Sequence, residues 1–244
     1  MDALDRIEPV ARDLLARVDA ALIAHGAPAE HGLWAQLRRV AAPPGDVVAF
    51  FVAADPGVLR RAAEALRARA AVLANVRLHV AGRWQGAAGE SFAAHAAAME
   101  AHLGADPMET HLGADTAGEQ SIRGRWVATA SYVEHVADWF AGGRAALART
   151  LAEVLSSTQA VAVASCPVFT GDVADVAQFA ATAVPREALA AAADIGAHVL
   201  ATAADLLADG HDLRSRWDGR LGEVAYRAPA TVPARLEQTL RVQH

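Results

Sequence analysis

The chain contains no lysine: all 22 of its basic residues are Arg, and Asn75 is its single asparagine. Such a bias reads as the mark of a GC-rich genome. Aromatic residues make up only 5% of the sequence, so a core must be built mainly from Ala, Leu and Val. Alternating runs of Val, Ile and aromatics are missing while Ala, the strongest helix former, abounds, which disfavours a β-rich fold. With Cys166 alone, no internal disulfide is possible and packing must hold the fold together. The best apolar run, around 159–169, falls short of the roughly 18 residues a membrane span needs, so no integral membrane segment is expected. The start, MDALDRIEPV, lacks the basic beginning and apolar middle of a Sec signal peptide. Synthesis in the cytoplasm is therefore expected, with export by a route that reads folded helical features left open. Net charge is −6, and acids and Arg interleave without forming a basic stripe, which argues against nucleic acid as a partner.

Catalytic signatures are missing as well. The chain has no nucleophile elbow, no glycine-rich phosphate loop, no HExxH and no Glu-x-x-His pair, so neither an enzyme nor a cofactor is expected. His95 and His102 stand two helical turns apart, near Glu109 and His111, a separation of roughly 10 Å that is too wide for one ion. Trp126, Trp139 and Phe140 are spaced as core aromatics, with a ligand pocket as the less favoured reading.

What is present is helical periodicity over 244 residues, 54% of them hydrophobic, enough for one large or two modest domains. After Asp55–Pro56, a cap followed by a first-turn proline, Leu59, Leu66, Leu73 and Val80 recur every seven residues. That spacing predicts a helix lying along a partner. A second seam, Phe92, Ala96, Met99 and Leu103, predicts a second helix after Gly86. A longer pattern runs from Ile122 to Val161 with Gly142–Gly143 as the expected bend. Breaks at Gly26–Pro28 and Pro43–Pro44–Gly45 divide residues 1–53 into three helices. The expectation is an all-α, elongated antiparallel bundle of helical hairpins. Its segments are an N-terminal cap (1–53), a first hairpin with a long helix (54–166), and a second helical segment with a short tail (167–244).

Residues 82–92, GRWQGAAGESF, have a counterpart in SRWDGRLGEVAY at 215–226, displaced by 133 residues. Arg83 matches Arg216, Trp84 matches Trp217, Gly86 matches Gly219, and Glu90 matches Glu223, which indicates an internal repeat. Gly supplies positive φ where a helix must stop and the chain reverse. A Trp on the preceding turn spans the gap between diverging helices. A hairpin turn with no further role is one sufficient explanation of this pattern.

Arg83–Trp84–Gln85–Gly86 followed by Phe92, at the elbow of Ala/Leu helices, resembles the WXG (ESAT-like) family of actinobacterial type VII (ESX) secretion substrates. The similarity spans about 55–105, and 187–227 more weakly. It implies helical hairpins that associate with another helical protein, and a Trp-x-Gly elbow read by the export machinery. The Tyr-x-x-x-Asp/Glu signal usual in the family is not completed after Tyr132 or Tyr226. The resemblance implies a secreted substrate or co-secreted helper, with any toxin on a separate chain. The alternative is a cytosolic adaptor or chaperone for a helical partner.

Overall fold

Asp2 opens the first helix through a reciprocal cap. Its carboxylate accepts the amides of Leu4 and Asp5 at 2.9 and 3.1 Å, while the Asp5 carboxylate accepts the Asp2 amide at 2.9 Å. The computed structural model describes residues 1–76, 78, 86–104, 120–166 and 184–229. Among the described residues there are eight helices and no strand. They are α1 (Ala3–His25), α2 (Leu33–Val40), α3 (Pro44–Ala53), α4 (Pro56–Leu73), α5 (Ala87–Leu103), α6 (Ile122–Leu155), α7 (Thr158–Ala164) and α8 (Arg186–Trp217). The protein is all-α. The Gly26–Pro28 break follows the end of α1 and the Pro43–Pro44–Gly45 break opens α3, and Asp55 caps α4 by accepting the Gly57 amide at 2.8 Å.

The chain divides into two compact units. One comprises Met1–Val58 with His135–Arg216, and the other Leu59–Glu134 with Trp217–His244. Three helices, α4, α6 and α8, contribute residues to both.

The first unit is built around α1, which buries Leu4, Ala11, Leu14, Leu15, Val18 and Ala21 at the three- and four-residue steps of one helix face. This face packs along α3 and α7. Leu147 and Leu151 of α6 and Val199 and Leu200 of α8 complete the core, each essentially inaccessible to solvent. Full burial of one such side chain stabilises by about 2 kcal/mol. Small residues set the spacing. Gly143 of α6 lies so close to the Phe51 ring that a Cβ there would overlap it. Phe51 in turn meets Trp139 at 5.5 Å between centroids, and Trp139 meets Phe140 at 4.7 Å. The Trp139 indole N–H donates to the Leu206 carbonyl at 2.9 Å, and Trp139 and Phe140 pack, partly buried, against the core that contains Phe51. By length and composition α8 is long and apolar enough to cross a membrane, and 56% of its most apolar window is buried inside the protein.

Arg144 ties this unit together. Its guanidinium, buried to 5% exposure, donates from Nε to Asp2 Oδ2 at 2.5 Å and from Nη2 to Asp5. Nη1 donates to the carbonyls of Phe51, Val52 and Ala54 at 2.6, 2.9 and 3.1 Å. One cation thereby satisfies the last carbonyls of α3 and the acidic first turn of α1, both of which a helix alone leaves without partners.

In the second unit, Ala63 and Ala70 form the buried line of α4, and Gly89 and Ala96 that of α5. Arg67 of α4 forks onto the Glu134 carboxylate of α6, with Nη1 to Oε1 at 2.9 Å.

Several helix limits differ from the sequence expectation. The α4 helix ends at Leu73 and does not reach Val80; at Leu78 the backbone is non-helical and its amide donates to Glu100 of α5 at 2.6 Å. Asn75 explains the stop: its side-chain amide donates to the Ala71 carbonyl at 3.2 Å, and Asn favours such local bonds over helix continuation. The long helix ends at Leu155, because Ser157 turns extended and caps α7 through the Ala160 amide at 3.1 Å. Register restarts there, so Val161, expected on the seam, is exposed while Ala160 and Val163 are buried. At Gly142–Gly143 α6 continues as helix, and the close approach of Phe51 accounts for Gly143.

Candidate functional site

The two glycines of the repeated motif share a backbone property. Gly86 has φ +87° with ψ −174° and Gly219 has φ +79°. The Gly86 combination is open essentially to glycine alone. No atom lies within 4 Å of a Cβ built on either residue, so backbone conformation and not crowding demands glycine at both. Their placement differs. Gly86 stands before α5, where its carbonyl accepts the Glu90 amide at 3.0 Å, whereas Gly219 stands just after the end of α8.

Around Gly219 the indole of Trp217, 8% exposed, ends α8. The ring of Tyr132 meets it at 5.8 Å between centroids, and the Arg220 guanidinium covers its face at 4.7 Å. Arg216 and Glu223 are exposed. In the first copy, Arg83 and Trp84 lie outside the described residues. Glu90, in the first turn of α5, is exposed, where a carboxylate complements the positive helix end. Phe92 is 48% exposed, so the α5 seam is carried by Ala96 with Met99 and Leu103, and Phe92 stands off it.

Glu223 also lines a cavity of about 500 Å³ bounded by α5, the start of α6 and residues 223–227. His102, Gln120, Ser121, Arg125 and Arg227 share that lining, and the Tyr226 ring sits edge-on to His102 at 5.5 Å. Two nitrogens of Arg125, Nε and Nη1, are shielded from solvent and have no hydrogen-bond partner among the described residues.

Among the described residues no three His, Cys, Asp or Glu side chains converge as metal ligands. His95 bonds the Ser91 carbonyl of its own helix at 2.9 Å through Nδ1, while Glu109 and His111 lie outside the described residues. The chain matches no protein family, no curated protein and no solved structure.

The sequence pattern did not single out Arg125, Arg144 or Asp19. For Arg144 a signal existed: it occupies the same helix face as Leu147, Ala148 and Leu151, all buried, and a cation on an apolar face requires partners. Asp19 of α1 accepts the Gly45 amide at 2.9 Å, yet its Oδ1 is buried without a partner among the described residues. Burial pushes its pKa up to about 7; the Gly45 amide opposes the rise and Asp46 adds to it. In Asp2 the direction is reversed: the hydrogen bond from Arg144 is the main cause that holds its carboxyl down at about 2.

Proposed function

We propose that the chain is a non-catalytic helical protein associated with type VII (ESX) secretion, a secreted substrate or co-secreted helper that works by helix–helix association. The observation that carries this reading is the pair of glycines at matching motif positions, Gly86 and Gly219, both with positive φ and neither crowded. Two copies of RWxGxxGE in one chain thus share a backbone requirement as well as letters. Hairpins turning at Trp-x-Gly, an association with another helical protein, and recognition by the export machinery belong to the same proposal. Exposed Phe92, beside the first motif, and the half-exposed Trp-facing Arg220 and Tyr226 region beside the second supply the surface side chains for such contacts.

The test compares culture filtrate of the native host with that of a strain lacking the export machinery. The expected outcome is protein in the first filtrate and none in the second. Protein confined to the cytosol in both strains overturns export. It would leave the second reading, a cytosolic adaptor or chaperone for a helical or toxin partner. The sequence feature that favours this alternative is the residue four places after each tyrosine, Val136 and Ala230, where the export signal needs Asp or Glu.

A further inference from the structure

His31 stands just ahead of α2 in the first unit and makes two contacts that place opposite demands on its ring. Its Nδ1 accepts the Leu33 amide at 3.1 Å, giving a partner to the first turn of α2, where a helix by itself leaves its amides without acceptors. Gly32, at the cap position, has no side chain that could do this. The other ring nitrogen, Nε2, lies 3.0 Å from Oδ1 of Asp194 on α8. An Nδ1 that accepts carries no proton, so the neutral ring holds its proton on Nε2 and donates it to Asp194. One tautomer thus joins the start of α2 to α8. A second proton, added at Nδ1, turns the acceptor into a donor that confronts the Leu33 N–H, and that bond must break. The Asp194 contact survives and gains charge.

The two contacts differ in weight. The Asp194 side chain is 54% exposed, so water screens much of the added attraction. Leu33 has no solvent exposure, and an amide left there without an acceptor is costly, so the turn opens to water when His31 withdraws. Glu30 and Arg38 line the same surface concavity as His31. One turn along α8 from Asp194, His198 pairs with Glu153 of α6 at 3.3 Å. Towards the other end of α2, Arg39 reaches Asp205 of α8 at 3.5 Å, an anchor that needs no histidine proton.

We propose that His31 is a proton-operated latch on α2: neutral, it holds the Leu33 amide and Asp194 together, and protonated, it keeps Asp194, gives up the amide and frees the first turn of α2. The Arg39–Asp205 pair keeps the far end of the helix on α8 in both states, so the opening is local. The latch is independent of the secretion reading and of the Trp-x-Gly motif.

The test is an NMR titration of the full chain, isotopically labelled, between about pH 8 and pH 5, the range in which histidine changes charge. At the alkaline end the ring nitrogen shifts of His31 should show a proton on Nε2 and a bare Nδ1. As His31 takes up its second proton, the protection of the Leu33 amide against hydrogen exchange should fall by roughly five- to tenfold, the size of one hydrogen bond. His31→Asn presents a side-chain oxygen that accepts the Leu33 amide at every pH, so protection there should be retained and show no acid step. His25 and His198 remain in that variant, which assigns the step to His31 alone. Asp194→Asn keeps an acceptor for Nε2–H and should keep the acid step, because the proton at Nδ1 is what breaks the bond. A proton on Nδ1 at the alkaline end overturns the proposal, as does Leu33 protection that stays constant through the His31 titration. An acid step that persists in His31→Asn overturns it too, and so does one that disappears in Asp194→Asn, which serves as the check should His31→Asn not fold. Export is measured separately and can fail with the latch intact.

Discussion

At the scale of single residues, the first unit contains two carboxyl groups displaced in opposite directions. The Asp2 carboxyl sits at about 2, below its ordinary 3.8, because Arg144 hydrogen-bonds the ionised form. Its contribution is complete above about pH 4 and is lost as pH falls towards 2. Arg144→Met should cost about 2–3 kcal/mol, since it strands three carbonyls and two carboxylates. The same variant should lose the acid limb of the stability profile between pH 4 and 2. Denaturant midpoints across that range check both expectations. Asp19 has the other sign. Its folded-state pKa of about 7 lies above 3.8, so the unfolded chain ionises first and stability falls as pH rises from about 4 towards 7. Asp19→Asn should therefore raise stability at pH 8 by about 1 kcal/mol and change it little at pH 4. A difference that is the same at both pH values would show that the carboxyl does not titrate as described. Neither group was legible in the sequence, because each displacement arises from a contact distant along the chain, Asp2 with Arg144 and Asp19 with Gly45.

At the scale of elements, the motif glycines and the packing of Trp217 make separate demands. Gly86→Ala should destabilise by about 1–3 kcal/mol through backbone strain alone, since a Cβ there meets nothing. Asn should do no better than Ala, because φ +87° with ψ −174° is not the left-handed helical region that Asn tolerates. An unchanged denaturation midpoint for both variants would refute the strain argument. Trp217→Ala should cost about 3–5 kcal/mol, as expected for a buried indole. Phe92→Ser, at 48% exposure, should stay within about 0.5–1 kcal/mol of the parent. If the two aromatics instead cost equal amounts, Phe92 belongs to a core. Helix starts were the most readable features of all. Asp55–Pro56 and Pro43–Pro44 act through neighbouring residues, so capping chemistry and fixed φ operate wherever the chain later packs. Helix ends were less readable. Asn75 ends α4 and Ser157 restarts α7, although the apolar spacing runs on through both. A seven-residue period records which faces are apolar and carries no information on where one competing side-chain hydrogen bond breaks the ladder.

At the scale of the whole molecule, association is the property the functional proposal requires. The chain purified from its native host is expected to elute with a second helical polypeptide, with Phe92→Ser weakening that complex without unfolding the chain. Elution of the wild-type chain alone at micromolar concentration would count against a stable partner. Its sequence by itself determined the helical class, the helix starts and the two glycines of the repeat, because composition, capping and the preference of positive φ for glycine act over a few neighbouring residues. Only the tertiary structure decided which carboxyls are displaced, which arginine is satisfied and which is not, and how Glu223 comes to share a cavity with Arg125. These depend on burial and on groups brought together from distant stretches of chain, and neither charge nor periodicity along the sequence specifies such meetings.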